Sequence, residues 1–326
     1  MDRYEEIKDL LLKGCEFSKK GELREAISCF DKALELDLKS IYDGWFRIGN
    51  SELEFCLEEA IKCYSKWTEL HPENTKSWLN KGLYLSRLGK LESAVSCYDM
   101  ALELEPQNVE TLLEKGIDLL SMCYHEEAID CFDKVIKADP DNIKAWLNKA
   151  FALGEMENYQ EAINCFDELL KIDPEDAEIW FNKALFLDTI GHFDEVIDCL
   201  NKVLELEPDN AMALSFKGYV LATKLGRYQE AIDYFDKALE LDPNRADDWY
   251  YKGLSLVNLK NYQEALDCID KSLKLGRKTS EAWYYKGISL VNLGCYKEAA
   301  ECFDRGLELD PENPLILKAK KAILKS

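Results

Sequence analysis

Apolar residues recur at helical spacing in short stretches along the chain. Over residues 143–156, Trp146, Ala150 and Leu153 stand at positions i, i+4 and i+7, and residues 160–172 carry a second stripe of the same kind. This spacing places the apolar side chains of each stretch on one side of an α-helix. Polar residues, Glu157 and Asn158, separate the two stretches, and a proline follows the second, where a helix cannot continue. The pattern predicts two helices joined by a short turn.

The same pair of helical patterns returns at a nearly constant period. The residues that open the second stripe lie 34 residues apart, with one interval of 35: Ala26, Ala60, Ala94, Ala128, Ala162, Val196, Ala231, Ala265 and Ala299. Seven of the eight prolines keep this spacing: Pro72, Pro106, Pro140, Pro174, Pro208, Pro243 and Pro311. A fixed period of this length is the signature of a repeat architecture.

Each period also pairs a small residue with a large one. Glycine or alanine stands four residues after the tryptophan position of the first helix, as in Trp78 with Gly82 and Trp146 with Ala150. An aromatic residue recurs in the second helix, for instance Tyr98 and Phe166. We expect the small residue to let the two helices approach closely, with the aromatic ring filling the space beside it.

The combination of tryptophan, a small residue, alanine, an aromatic residue and proline at period 34 resembles the tetratricopeptide repeat. The resemblance implies an all-α, right-handed superhelical solenoid of nine helix-turn-helix repeats, with a C-terminal capping helix over residues 314–326, in one domain spanning residues 1–326. The predicted repeats are 7–40, 41–74, 75–108, 109–142, 143–176, 177–210, 211–245, 246–279 and 280–313.

Several positions depart from the family's pattern. We expect a local irregularity around residues 38–57, where Trp45 comes one residue late. Repeat 7 has one extra residue in its turn, and repeat 8 ends in Gly276-Arg277 instead of Asp-Pro. Lysine replaces the usual leucine before the small residue in eight repeats, and its stem can cover apolar surface while its ammonium reaches water or a carboxylate.

Composition narrows the class of partner. The chain has 326 residues, 47% of them hydrophobic, and a net charge of −22. This acidic balance argues against nucleic acid and anionic membranes as partners, because phosphate contacts require an excess of lysine and arginine. It also argues against an RNA-binding helical repeat. The charged first residues predict no signal peptide, and no apolar run approaches the ~20 residues of a membrane span. We therefore expect a cytoplasmic protein.

Candidate chemistry is sparse, and we predict no catalytic, cofactor-binding or metal-binding residues and hence no enzyme. Eight cysteines share one position of the repeat, but equivalent positions lie on helices whose axes are at least ~8–10 Å apart, too far for a disulfide. We interpret them as small apolar packing residues; the other four are scattered. The three histidines lack metal-site spacing, and no phosphate-binding glycine loop occurs. Because no disulfide is predicted among the twelve cysteines, we expect the protein to reside in a reducing compartment.

The resemblance implies that the first helices line a concave groove that binds peptides or helices. Thirteen residues are candidates for this groove by their positions: Asn80, Glu110, Glu114, Asn148, Phe151, Glu178, Asn182, Phe216, Tyr219, Tyr250, Tyr251, Tyr284 and Tyr285. Asparagine can bond a ligand backbone as donor and acceptor, and tyrosine is favoured at interfaces. The asparagines are equally explained by common ancestry of the repeats, whereas the doubled tyrosines of repeats 8 and 9 depart from the family's average.

Charge distribution leaves two interpretations of the groove. Residues 109–210 hold 25 acidic and 8 basic residues. They form either a solvated outer face that keeps the protein soluble or a groove for a basic segment, whose binding would weaken with salt. We predict a non-catalytic scaffold for a protein or peptide partner. The alternative is a structural protein that self-assembles into homo-oligomers through its repeat ends.

Overall fold

The computed structural model describes residues 3–37 and 51–323, and these form 18 α-helices with no strand among them. The chain separates into two compact units, Met1–Ile172 and Asp173–Ser326. The all-α repeat fold is therefore confirmed. One continuous solenoid over residues 1–326, with the nine repeat boundaries, stays a prediction, and the irregularity expected at 38–57 falls mostly outside the described residues.

The first unit contains nine of the described helices. They are α1 (Arg3–Lys20), α2 (Leu23–Asp37), α3 (Ser51–Leu70), α4 (Thr75–Arg87), α5 (Leu91–Leu104), α6 (Val109–Ser121), α7 (His125–Ala138), α8 (Ile143–Glu155) and α9 (Tyr159–Ile172).

The second unit contains the other nine. They are α10 (Ala177–Thr189), α11 (Phe193–Leu206), α12 (Ala211–Thr223), α13 (Tyr228–Leu241), α14 (Ala246–Asn258), α15 (Tyr262–Lys274), α16 (Ser280–Asn292), α17 (Tyr296–Leu309) and α18 (Pro314–Ile323).

Side-chain caps fix where most of the first helices begin, including α4, α6, α8, α10, α12 and α16. The side chain of Asn108 accepts a hydrogen bond from Thr111 N, and that of Asn142 accepts one from Ala145 N, each satisfying a first-turn N–H that lacks a partner within the helix. The indole of Trp146 then donates to the carbonyl of Pro140 at 2.8 Å. The proline turn and the first helix are thus held in one register, which repeats along the chain.

The small residue and the aromatic ring pack as the sequence predicts. A Cβ atom added to Gly116 would lie 2.6 Å from the Phe132 ring, and one added to Gly287 would lie 2.4 Å from the Phe303 ring. Both rings are fully buried. Because such distances leave no room for a methyl group, glycine is what permits the close approach of the two helices.

The repeated lysine joins consecutive helix pairs. Lys115 bonds Asp99 at 2.5 Å and Lys286 bonds Asp270 at 2.6 Å, each reaching the second helix of the preceding pair. The ammonium of Lys286 also lies 5.5 Å from the centre of the Trp283 ring. The expectation that the stem covers apolar surface while the ammonium reaches a carboxylate is confirmed.

The helices of the first 70 residues pack differently from the rest. The hydroxyl of Ser18 in α1 donates to Glu59 of α3 at 3.1 Å. In α4, the hydroxyl of Tyr84 donates to the carbonyl of Phe30 in α2 at 2.8 Å. Helix α4 therefore contacts α2 directly, although 54 residues separate these two positions in the chain.

Helix α18 packs on α17 in the manner of a first helix. Ile316 is fully buried, and its Cδ1 atom would lie 2.5 Å from a Cβ added to Gly306. Lys320 pairs with Asp304, which repeats the lysine–aspartate spacing of the earlier pairs. None of the described helices is long and apolar enough to cross a lipid bilayer.

Candidate functional site

The candidate surface is the exposed side of the first helices, called here the first-helix face. In the first unit it comprises α4, α6 and α8, and in the second unit α10, α12, α14 and α16. Their common register places residues that are 34 or 35 positions apart in equivalent sites. The two units fill these sites with different chemistry.

Aromatic rings form a continuous row on the face of the second unit. Phe181 meets Phe216 edge to face with centroids 6.0 Å apart, and Phe216 stacks on Tyr219 at 6.5 Å. The ring centroids of Tyr219 and Tyr251 are 5.1 Å apart, and those of Tyr251 and Tyr250 are also 5.1 Å apart.

The row ends on α16. Tyr250 meets Tyr285 at 6.3 Å and Tyr285 meets Tyr284 at 5.0 Å. Seven rings on four helices thus touch in sequence, and all except the buried Tyr250 are partly exposed. These seven rings are the aromatic row.

A guanidinium group covers the middle of the aromatic row. Arg277 lies with its Cζ atom 4.2 Å from the Tyr250 centroid and 5.2 Å from that of Tyr251, and it pairs with Asp247. Burial lowers the pKa of Arg277, and the charge of Glu281 opposes that shift. Arg277 stands where other repeats have Asp-Pro, so a departure visible in the sequence places a cation on the doubled tyrosines.

Three hydroxyls of the aromatic row, those of Tyr250, Tyr251 and Tyr285, stay neutral. Burial raises the pKa of Tyr250, Tyr251 and Tyr285, and neighbouring tyrosines and Glu281 add to the shift. At neutral pH the hydroxyls therefore remain able to donate hydrogen bonds. Such rings offer apolar area with a polar end, the combination found at protein interfaces.

A cavity of about 430 Å³ opens at one end of the aromatic row. Its lining comprises Ala177, Glu178, Phe181, Asn182, Glu207, Asn210 and Met212. Glu178 and Asn182 were predicted as groove residues, and the cavity brings them together. It is called here the α10–α12 cavity, after the helices that carry most of its lining.

The first-helix face of the first unit is polar, and several of its groups bond to other residues of the chain, although the Oδ2 atom of Asp118 is buried without a hydrogen-bond partner. Asn80 is buried and donates to Asp31 at 2.7 Å, so its amide is engaged within the protein. Asp118 is also buried and accepts from Ser86 at 2.7 Å. Asn148 donates to the carbonyl of Lys144 in its own helix at 2.8 Å. Three amide or acid groups on this face thus have partners within the protein.

Glu114, an acidic residue predicted for the groove of the first unit, has a shifted pKa and cations of the chain nearby. Burial raises the pKa of Glu114, with the charges of Asp118 and Glu110 acting in the same direction. Arg87 and Lys144 lie close enough to oppose this shift. Burial also raises the pKa of Asp118, and the hydrogen bond from Ser86 opposes this shift. The chain itself therefore supplies cations to this cluster.

The remaining predicted residues are divided between the units. Glu110 and Glu178 are exposed, each in the first turn of its helix. Phe151 meets Phe166 edge to face at 6.3 Å but contributes to no row like that of the second unit. The structure thus gathers Glu178, Asn182 and the aromatic residues of the second unit, and leaves the first-unit candidates in a separate, polar face.

Three residues of the site were not among the candidates predicted from the sequence. Met212 and Glu207 line the α10–α12 cavity, and Arg277 covers the aromatic row. Methionine at position 212 was a signal, because the equivalent position is charged in other repeats: Lys76, Glu110, Lys144, Glu178, Asp247 and Glu281.

The cysteines form no reactive or metal-binding centre among the described residues. The thiols of the repeated position are mostly buried, and burial raises the pKa of Cys165 and of Cys268 to about 11. Their interpretation as packing residues is confirmed. Cys15 and Cys56, which appeared scattered, lie side by side, and their hydrogen bond raises the pKa of Cys15. Within residues 3–37 and 51–323, no three His, Cys, Asp or Glu side chains converge as a metal site requires.

Family comparisons match most of the described helices. Two models of the tetratricopeptide repeat match the chain, one at residues 75–108, 143–176 and 220–245, and the other at residues 10–40, 119–142 and 177–210. A model of the anaphase-promoting complex, cyclosome, subunit 3 matches residues 234–306. No curated protein matches the chain.

Solved structures similar to the chain are tetratricopeptide repeat proteins among others. YrrB, a tetratricopeptide repeat protein with an unusual peptide-binding site, is 24% identical with a TM-score of 0.52, covering 58% of this chain and 97% of its own. A tetratricopeptide repeat protein from Parabacteroides merdae is 18% identical with a TM-score of 0.54, covering 77% and 98%. MamA from Desulfovibrio magneticus RS-1 is 23% identical with a TM-score of 0.50, covering 53% and 97%. At these identities the likeness shows the fold alone.

Proposed function

The chain belongs to the tetratricopeptide repeat family, and from that premise we propose that it is a non-catalytic scaffold that binds a peptide or helical segment of a partner protein. The binding surface is the first-helix face of the second unit. The role of protein-interaction scaffold follows from the family. The choice of surface is our own inference from the side chains.

The aromatic row is the observation that carries this choice. Its rings contact one another in a line across α10, α12, α14 and α16, yet six of the seven keep part of their surface in contact with solvent. Partly exposed tyrosines supply contact area with few rotamers to immobilise, which favours binding.

The polar face of the first unit offers a partner less. Asn80 and Asp118 are buried and engaged, and Glu114 lies beside Arg87 and Lys144. A ligand would have to break these bonds before forming its own, at the cost of leaving buried groups unpaired. For this reason we restrict the proposed surface to the second unit.

The experiment is a selection of peptides from a random library on the purified full chain, followed by fluorescence polarisation with each selected peptide. We expect Tyr219→Ala together with Tyr251→Ala to weaken binding at least about tenfold, because truncating a central aromatic contact costs roughly 1–4 kcal/mol. Circular dichroism and the thermal midpoint verify that the variant is folded.

The matched control is Tyr296→Ala. Tyr296 is a tyrosine of the same unit that is 51% exposed, more than Tyr219 or Tyr251, but it lies at the start of the second helix α17. Its loss should leave the affinity unchanged. The proposed surface would be refuted if both variants weakened peptide affinity equally, or if neither variant changed the affinity of the selected peptides.

Self-assembly is the second candidate, and the exposed leucines of α18 favour it. Leu315 is 54% exposed and Leu317 is 47% exposed, and they stand on either side of Ile316, through which the helix packs on α17. Size-exclusion chromatography with light scattering measures the mass directly. A concentration-dependent dimer that Leu315→Lys with Leu317→Lys returns to 37.6 kDa would establish assembly through this helix.

A further inference from the structure

The α10–α12 cavity combines acidic, amide and apolar groups in one depression. Glu178 and Glu207 contribute carboxylates, Phe181 contributes a ring and Met212 contributes a thioether that is 60% exposed. The volume of about 430 Å³ exceeds what one side chain requires. The cavity therefore has room for a long side chain of a partner.

The carboxylates of the cavity have no cationic partner in the part of the chain that the structure describes. Within the described residues, no lysine or arginine pairs with Glu178 or Glu207; Glu207 accepts only from the amide of Asn210, at 2.7 Å. The two lysines of residues 173–210, among 11 acidic residues, are engaged elsewhere. Lys202 bonds Glu205 at 2.6 Å, and Lys183 lies 5.7 Å from the centre of the Trp180 ring.

The equivalent place in the first unit shows what is missing. There, Lys144 of α8 occupies the position of Met212, six residues before the small residue of its helix. Its charge acts on Glu114 of the neighbouring α6 together with that of Arg87. In the second unit methionine replaces this lysine, and the acidic groups next to it stay without a cationic partner from the described residues.

The ends of the helices do not turn the cavity into an anion site. The first-turn N–H groups of Glu178 and Ile179 donate to Asp176, and that of Ala213 donates to Asn210, so caps already occupy them. Two carboxylates in the lining repel a phosphate or a carboxylate ligand. A cation gains both from these charges and from the Phe181 ring, whose face attracts positive charge.

We propose that the α10–α12 cavity binds one arginine or lysine side chain of the partner segment, with the cation paired to Glu178 and Glu207 and lying against Phe181. This proposal rests on the proposed function for the presence of a partner segment, and it assigns that segment a basic residue beside the part that contacts the aromatic row. The partner segment thereby supplies a cation beside Met212, whereas in the first unit Lys144, at the position equivalent to Met212, supplies one to Glu114.

The test uses the methyl group of Met212 as a reporter in the full chain. The protein has five methionines, so a sample labelled with ¹³C-methyl methionine gives few signals, and Met212→Leu identifies the relevant one. N-acetyl-arginine N-methylamide is titrated in, with the matching citrulline compound as a neutral analogue of the same shape. We expect a saturable shift of the Met212 signal with arginine, and at least a tenfold weaker response with citrulline.

Two variants test the assignment of the charges. Glu178→Gln with Glu207→Gln should abolish the arginine response, while Glu110→Gln, the equivalent first-turn glutamate of α6, should leave it unchanged. Met212→Lys installs the internal cation of the first unit, and it should reduce binding of a fluorescent arginine peptide at least tenfold. Equal shifts with arginine and citrulline, no shift, or binding that survives the double glutamine variant would each overturn the proposal.

These outcomes separate the cavity from the wider surface. A library peptide that binds through the aromatic row while arginine leaves Met212 unmoved refutes the cavity alone. An arginine response without any peptide that depends on Tyr219 and Tyr251 refutes the proposed surface and leaves the cavity as a cation site.

Discussion

The first-helix faces of the two units share a register and differ in how their side chains are satisfied. In the first unit, Asn80 and Asp118 bond to other residues of the chain, and Glu114 lies near two cations. In the second unit, the position of Asn80 and Glu114 carries Phe216, Tyr251 and Tyr285 in three of the four first helices. The carboxylates of Glu178 and Glu207, at other positions, have no cationic partner among the described residues. The same 34-residue repeat can therefore either bond the polar groups of its first-helix face within the protein or leave that face available to a partner.

Both units share the packing of a small residue of the first helix against a large side chain of the second. Disrupting this packing is expected to have the largest effect on stability. Gly116→Ala forces a methyl group against the Phe132 ring, which should lower the free energy of unfolding by about 2 kcal/mol after the gain in helix propensity. Gly218→Ala, against Phe235 in the second unit, should cost a similar amount, because its Cβ would lie 2.8 Å from that ring. Urea denaturation followed by circular dichroism measures both.

A control for this prediction exists in the chain. Helix α10 carries alanine at the small position, Ala184, and its partner in α11 is Leu200 rather than an aromatic residue; both are fully buried. Gly116→Ala combined with Phe132→Leu copies this pair and should recover part of the lost stability. A double variant less stable than either single one would contradict the packing account.

The cation over the aromatic row is a further difference between the two units, since the first unit has no equivalent of it among the described residues. Arg277→Met keeps an apolar stem but removes the charge over Tyr250 and the pair with Asp247. We expect a loss of about 1 kcal/mol in stability. Lys278→Met, at the next and exposed position, should have no effect in the same denaturation experiment. Equal effects would show that Arg277 acts through general charge alone.

The buried acids make the first unit respond to pH. Because the folded pKa values of Glu114 and Asp118 are raised, the folded state holds their protons more tightly than the unfolded state. Stability therefore falls as pH rises from the ordinary values, 4.5 and 3.8, through the raised ones. Glu114→Gln with Asp118→Asn should flatten this decline in the thermal midpoint between mildly acidic and neutral pH. A decline of the same slope in the variant would contradict the assignment.

The weakest expected effect concerns the lysine–aspartate pairs. Lys115→Met removes the pair with Asp99 but keeps the apolar stem, so we expect a loss of about 0.5 kcal/mol that fades at high salt. Lys81→Met is the matched control. Its neighbour sixteen residues earlier is Ser65, so its effect should not depend on salt. Salt-independent loss at Lys115 would assign its role to packing.

Local sequence patterns predict much of the fold. The helix pairs, the close approach at Gly116 and the bridging role of Lys115 all follow from residues at fixed spacing, because each repeat contacts its neighbours in the same way. The doubled tyrosines, Tyr250 with Tyr251 and Tyr284 with Tyr285, already marked the second unit as unusual.

The state of each side chain on the face could not be predicted in the same way. Asn80 meets Asp31 from 49 residues away, since α4 packs directly on α2. Arg87, which lies outside the helix pair of Glu114, opposes the rise in the pKa of Glu114 that burial causes. The sequence also could not show that Arg277 would lie on Tyr250. These contacts depend on how helices of different repeats meet, and no spacing rule within one repeat contains that information.

The central claim is that a partner segment binds the open face of the second unit and not the satisfied face of the first. A library-selected peptide carrying a benzoylphenylalanine photo-crosslinker tests it most directly, with the attachment sites identified by mass spectrometry. We predict crosslinks to α10, α12, α14 and α16. Crosslinks concentrated on α4, α6 and α8, or on the second helices of the repeats, would contradict the account.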